Sequence, residues 1–475
     1  MNETSAGDRG RLPLSGVWRF AIDPGDAGVG EAWYARELED RVTLPGTMDE
    51  NGKGERNDRM ETDRLSRKFR YRGPAWYQRE VEIPASWAGK RIVFAIERTK
   101  SGTVWIDEEL IGRQRSLCTP HVYEASRALT PGRHRITVRI DNGDHPAIGD
   151  PHQISDHTQT NWNGLLGDIS LQATDPVWIE EVQIYPEPGE NRLRVRGRIG
   201  NRGAGTASCR ISLQFADDQG TRTDAIAPAS VHIDAGSGES GFEAVCELSP
   251  SAAKWDEFGP NAYRATATLE AQTAEGAFRD ALRTSFGIRA FAARGTQFAV
   301  NGRTTFLRGK NDSCVFPLTG YAPMETEEWL RLFEIAKAYG INHYRFHTWC
   351  PPEAAFEAAD RAGIYLQPEL PFWYPLLEPD EQRYDPDLKP FLREEGERIL
   401  RQYGNHPSFV MFALGNELLG SRGELMDLVR HFQSVDPRRL YAEGSNNFYN
   451  TPDCAEGQDF WVTMRAGVGA YPVRG

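Results

Sequence analysis

Residues 409–414, Phe-Val-Met-Phe-Ala-Leu, constrain the fold more than any other stretch. An unbroken apolar run of this length predicts a strand covered on both faces, as in a parallel sheet. It ends on Gly415, Asn416 and Glu417. A carboxylate at the mouth of a buried strand is costly unless something uses it. The same region alternates strand and helix from about residue 291 onward. Strands are expected at 305–309, 341–347, 364–370, 409–417, 440–444 and 460–464. One helix starts with Thr326 as its cap, puts Trp329, Leu332, Phe333 and Ala336 on one face, and stops at Gly340. Others are expected at 352–363, 388–403 and 424–435. This alternation predicts a parallel sheet, either doubly wound or part of a (β/α)8 barrel. No Gly-rich phosphate fingerprint follows any strand, which weighs against a nucleotide-binding sheet. In a barrel, the C-terminal strand ends carry the chemistry. Those ends are Asn311, His347, Glu369, Glu417 and Glu443.

Upstream the pattern is all β. Between 14 and 175, short alternating runs at 17–22, 76–83, 91–97, 103–106, 134–140 and 168–172 are separated by Gly, Pro, Asn and Asp. Such spacing predicts a sandwich or jelly roll, interrupted by a long polar loop at 142–167. Residues 1–13 read as an N-terminal arm. Strands at 178–185, 192–200, 207–215, 241–246, 263–271 and 283–288 fit an immunoglobulin-like sandwich over 176–290. No cluster there suggests chemistry, so it reads as a spacer.

The net charge of −13 argues against nucleic acid or an anionic membrane as the main partner. No apolar run is long enough to span a membrane. The N-terminus has no apolar signal core, so the chain reads as cytoplasmic, or as secreted if a leader has been removed. The six cysteines show no metal-ligand spacing, and no metal or cofactor is expected. Cys209 and Cys246 fall in one β domain, either as a pair or, preferably, as two buried thiols. Twelve Trp residues suit stacking on sugar rings, although most Trp simply fill cores.

Several segments together resemble glycoside hydrolase family 2, the β-galactosidase, β-glucuronidase and β-mannosidase family. They are GPAWYQREVEIP (73–84), QTNWNGLLGDISL (159–171), FAVNGRTTFLRGKN (298–311), GINHYRF (340–346), FEAADRAGIYLQPE (356–369) and GNHPSFVMFALGNE (404–417). The resemblance implies a jelly roll, an immunoglobulin-like sandwich and a (β/α)8 barrel, here an incomplete one over 291–475. It implies Glu417 as general acid/base and Asn416 as partner of the sugar 2-hydroxyl. A retaining glycosidase needs a carboxyl that first protonates the leaving oxygen and then activates water. A neighbouring carboxylate and partial desolvation tune such a group. By the same analogy, Arg345 faces the catalytic centre and holds a nucleophilic carboxylate ionised. The family's Arg-x-x-His spacing is not kept: His347 follows Arg345 at two, with Thr348 in the usual place. His347, Asn311, Glu369 and Trp373 are further substrate-binding candidates. Asp156, Asn161 and Trp162 lie in the polar loop, which in the family reaches over the barrel mouth to grip the terminal sugar, so the resemblance makes Asn161 and Trp162 substrate-binding candidates as well. For Trp373 a core role is an equal alternative, and for the loop a solvated role is nearly equal.

The family's nucleophilic Glu ends the seventh strand, and six strands are expected here. Glu443, then Glu369, are the internal alternatives, neither matching the family. The expectation is a retaining exo-β-glycosidase whose nucleophile lies beyond residue 475, with the 475 residues alone inactive. β-Galactoside is the first substrate expected, β-glucuronide and β-galacturonide next. The rival reading is a non-catalytic carbohydrate-binding protein. A homo-oligomer and a divalent cation are both compatible with the sequence.

Overall fold

The computed structural model describes residues 9–62, 66–158, 161–220, 223–445 and 456–462. Its N-terminal layer pair is a five-stranded sheet facing a six-stranded one. The strands Pro74–Ile83 and Gly132–Asp141 pair in the middle of the larger sheet. Their alternation sends Tyr77, Ile83, Ile136, Val138 and Ile140 into the shared core. The N-terminal arm is corrected by the structure. Gly10–Pro13 is a strand, with Gly10 opposite Ala173 and Pro13 opposite Ser170. Leu12 packs on the core, and Pro13 stands at the end of an edge strand, where its missing N–H is tolerated.

The second sandwich packs a three-stranded sheet (Val177–Glu187, Arg192–Asn201, Gly238–Glu247) on a four-stranded one (Ala207–Asp217, Ala229–Ala235, Tyr263–Thr273, Gly276–Phe286). Cys209 and Cys246 are buried free thiols in its core. The expected strand at 283–288 is instead the end of Gly276–Phe286.

Four helices, α1 (Thr326–Ala338), α2 (Glu353–Ala362), α3 (Leu388–Tyr403) and α4 (Arg422–Val435), alternate with parallel strands. The expected strand at 305–309 divides in two. Arg303–Thr305 closes a small antiparallel sheet, and Gly309–Asp312 opens the parallel one beside His343–Phe346. Thr326 is not the cap of α1. It lies inside the first turn, and its hydroxyl donates to Glu357 at 2.7 Å. Tyr365–Gln367, Met411–Ala413 and Leu440–Ala442 continue the arc. Parallel bridges join Leu366 to Phe409, Glu369 to Ala413, Asn416 to Ser445 and Ser445 to Val462. Of the expected strand at 460–464, Val462 is placed by that bridge, and residues 463–464 lie outside the described residues. Trp329 and Phe333 on α1 and Leu425, Leu428, Val429 and Phe432 on α4 are buried in one core with Phe409, Phe412 and Leu414.

Buried polar bonds fasten the sandwiches to the barrel arc. The Glu395 carboxylate on α3 accepts the backbone N–H groups of Leu117 and Cys118, each at 2.8 Å. Tyr403 donates its hydroxyl to the Cys118 carbonyl at 2.7 Å. On the other side, Arg438 donates to the Ile184 carbonyl and to Gln183 Oε1, both at 2.8 Å. Its partner is Asp436.

The Gly-Asn-His-Pro stretch before the apolar strand is also pinned by charge. His406 bonds Asp360 Oδ2 at 2.6 Å and Glu353 Oε1 at 2.7 Å, both on α2. Burial disfavours the imidazolium, but the Asp360 and Glu353 carboxylates outweigh it and raise the His406 pKa to about 10. A group raised in the folded state stabilises it fully below its unfolded value of about 6.5 and loses that contribution as pH climbs. Unfolding free energy is therefore expected to fall between pH of about 6.5 and about 10. Urea titrations should show His406→Gln losing most of this dependence. An equal pH slope in both proteins would refute the ion pair.

Candidate active site

The C-terminal ends of the parallel strands converge on one guanidinium. Arg345, on His343–Phe346, donates Nε to Glu369 Oε1 at 2.7 Å, Nη1 to Asn311 Oδ1 at 3.1 Å and Nη2 to Asn416 Oδ1 at 2.8 Å. Glu369 is fully buried. Its second oxygen accepts the Thr348 N–H at 3.0 Å, and Ser445 donates its hydroxyl to Oε1 at 3.2 Å. Burial raises the Glu369 pKa, with the Arg345 charge opposing. Thus residues from five successive strands or strand ends meet in one network. Asn416 Oδ1 is taken by Arg345, which fixes the oxygen end of the amide on the guanidinium, an orientation set by the hydrogen-bond network.

The backbone at the end of the apolar strand explains why glycine precedes Asn416. A Cβ at Gly415, whose φ is +156°, would lie 2.1 Å from the Phe372 carbonyl oxygen. Two residues on, Glu417 has φ +51°, a left-handed conformation uncommon outside glycine. The Glu417 N–H donates to the Ser445 carbonyl at 2.7 Å. Such strained positions persist where neighbours over-determine them, often at functional sites.

A wall of rings stands beside this network. His347 packs against Trp373, centroids 5.1 Å apart, and against His152, 4.7 Å away. His152 also meets Trp373 at 5.4 Å, and its N–H donates to Thr348 Oγ1 at 2.9 Å. The long polar loop of the jelly roll therefore does reach the mouth, through His152. It is anchored by the Trp373 N–H donating to the Ile148 carbonyl at 2.9 Å. Burial, then the Arg345 charge, lower the His347 pKa to about 4. Burial, then His347 itself, lower that of His152 to about 4. Both rings are neutral near pH 7.

The structure brings Arg345, Glu369, Asn311, Asn416 and Glu417 to one end of the strands, with His347 and Trp373 adjoining. Trp162 and Asn161 do not belong to the Arg345 network. Trp162 is buried with the Lys100 ammonium 4.4 Å over its ring. Asn161 is buried, its carbonyl accepting from Asn142 at 3.2 Å. Glu443 is engaged by Arg422, through Nε and Nη2 at 3.2 Å each. Sequence reasoning missed His152 and Ser445. A histidine in a polar loop and a serine after a strand carry no periodic signal. Among the described residues, no group of three or more His, Cys, Asp or Glu side chains is placed to hold a metal ion.

Comparisons with known proteins bear on the family and the fold. The sugar-binding domain of glycosyl hydrolases family 2 matches residues 12–175, and the TIM barrel domain of that family matches residues 291–455. A β-glucuronidase of Paenibacillus borealis is 24% identical over 458 residues, covering 90% of this chain and 71% of its own. β-Galactosidase 2 of Enterobacter cloacae is 22% identical over 451 residues, covering 91% and 42%. The crystal structure of a Bacteroides uniformis β-glucuronidase superposes with a TM-score of 0.73 at 20% identity, a likeness of fold. It covers 91% of this chain, which spans about half, 52%, of that one.

Two outcomes are expected of the site itself. Arg345→Ala leaves the Glu369 carboxylate buried without its counter-charge, at a cost of about 3–5 kcal/mol in urea unfolding. Arg345→Met combined with Glu369→Leu should recover most of that loss; equal losses in single and double variants would refute the pairing. The His347 ring should titrate by NMR with a midpoint of about 4. Since its folded pKa is depressed, its stabilising contribution is complete above about 6.5 and is lost as pH falls towards that midpoint. A midpoint near the unperturbed value would refute the packed ring wall.

Proposed function

The chain belongs to glycosyl hydrolase family 2, and from that premise we propose that its barrel mouth supplies the acid/base half of a retaining, exo-acting β-glycosidase. The observation that carries this reading is the Arg345–Asn416 bond beside the left-handed Glu417. It fixes the amide next to the carboxylate, so that a sugar hydroxyl held by Asn416 sets the glycosidic oxygen against Glu417. Glu417 protonates that oxygen as the bond to the anomeric carbon breaks. In the second half-reaction its carboxylate takes a proton from water. Asn416 donates to the 2-hydroxyl, where hydrogen bonds strengthen in the transition state. The Arg345 charge favours the ionised form of a carboxylate brought opposite it.

The nucleophilic carboxylate is assigned to sequence outside the described residues. In support, Glu369 is committed to Arg345, Thr348 and Ser445, and Glu443 is paired with Arg422. The half-buried Trp373 and the neutral rings of His152 and His347 suit a sugar's apolar face and hydroxyls. β-Galactoside is the first substrate to test, followed by β-glucuronide and β-galacturonide; the relatives named above are a β-glucuronidase and a β-galactosidase.

Glu417→Ala in the natural gene product should slow hydrolysis of a phenyl β-glycoside by about 10²–10⁴-fold. It should slow a dinitrophenyl glycoside far less, because that leaving group needs no protonation. Equal losses for both would refute the acid role. The 475 residues alone are expected to show no turnover. Clear release of the aryl group by them would move the nucleophile to Glu443 or Glu369. Sugar binding that survives Glu417→Ala and deletion of residues 291–475, with no turnover in any form, would favour the binding-protein reading.

A further inference from the structure

The jelly roll and the barrel arc meet at two thiols that the catalytic reading does not use. Cys118 lies in the turn between the strands Glu109–Gln114 and His121–Glu124. Cys350 lies between the second parallel strand and α2. Both are free and fully buried. Two further side chains hold both segments at once. Arg98 donates Nη1 to the Cys118 carbonyl at 2.6 Å and Nη2 to the Cys350 carbonyl. Gln153 Oε1 accepts from Cys118 Sγ and from the Cys350 N–H, each at 3.4 Å. Glu395 fixes the Cys118 N–H from α3. Two cysteines on separate domains are thus set side by side by a shared cation and a shared amide. The Cys118 sulfur and the Cys350 N–H share one oxygen atom, the kind of proximity on which a disulfide depends.

We propose that Cys118 and Cys350 are an oxidation site, converted by hydrogen peroxide into a disulfide between the jelly roll and the barrel. One thiol gives up its proton, and its sulfur attacks a peroxide oxygen. The O–O bond breaks, leaving a sulfenic acid and a hydroxide that takes the proton and departs as water. The second sulfur then attacks the sulfenic sulfur. The S–S bond forms, the S–O bond breaks, and a second water leaves with the remaining proton. The two thiols lose two electrons and the peroxide gains them.

The site is built for a slow, stable change rather than rapid sensing. Burial, reinforced by the contact with Cys350, holds the Cys118 thiol well above its ordinary pKa, and the thiolate is the reactive form. Oxidation therefore waits on opening of the domain interface, and mild denaturant should accelerate it. Once formed, the bond would clamp the segment that carries the ring wall: Gln153 follows His152, and Cys350 follows Thr348, whose N–H holds Glu369. This inference is independent of the glycosidase reading.

The test is peptide mapping under non-reducing conditions after the folded chain is exposed to hydrogen peroxide and alkylated. The expected result is a peptide linked through Cys118 and Cys350 and loss of two of the six thiols. The thermal midpoint should rise and return to its original value with a reductant. In Cys350→Ser, Cys118 should be trapped by dimedone as the sulfenic acid, with no rise in midpoint. A link through another pair, such as one with Cys314, would overturn the proposal. So would sulfinic acid without a link, or absence of the linked peptide both here and after refolding in a glutathione redox buffer.

Discussion

The Arg345 guanidinium joins the ends of four parallel strands of the barrel arc. The hydrogen-bond ladder holds neighbouring strands together but does nothing across the mouth. Arg345 does, reaching Asn311, Glu369 and Asn416 at once. Glu369 extends the network to Ser445, and the Ser445 carbonyl holds the Glu417 N–H. Desolvating a carboxylate as deeply as Glu369 is tolerable only because a guanidinium and two hydrogen bonds meet it.

The sandwiches contribute to the mouth through buried polar bonds, beside Leu117, Ile148 and Ile154 of the jelly roll, which are buried in the barrel core. Arg98, Glu395, Tyr403 and Gln153 tie the loops of the jelly roll to α3 and to the segment after the second strand. This geometry carries His152 against His347 and Trp373. Two imidazoles this close exclude each other's charge, and burial already disfavours it. The wall is therefore uncharged beside a charged guanidinium, a division of labour that suits a ligand with both hydroxyls and an apolar face.

Much of the barrel arc was legible in the sequence because its signals are local. Helix α3 begins and ends where its apolar period and Gly404 place it. The run 409–414 is buried throughout. The errors fall where local signals are weak. Ala229–Ala235 alternates only between half-buried and exposed positions along most of its length, so its pattern is faint. Gly10–Pro13 is too short to show a period. The candidate site was legible as strand-end polar residues and in two rings of its outer wall, His347 and Trp373, but not in the third, His152. Trp162 is expected from the family resemblance to help grip the sugar, yet Lys100 lies over its buried ring, which no one-dimensional pattern announces.

The sequence by itself determined the order of β, β and β/α regions, the buried strand leading into Asn416 and Glu417, and the polar character of the strand ends. These follow from periodicity and glycine placement, properties of neighbouring residues. Only the tertiary structure decided which polar groups meet. Arg345 is 24 residues from Glu369 and 71 from Asn416 along the chain. Arg98 is 252 residues from the Cys350 carbonyl it binds. A hydrogen bond acts over about 3 Å whatever the distance in sequence, so parallel strand order and domain docking, not local pattern, chose these partners.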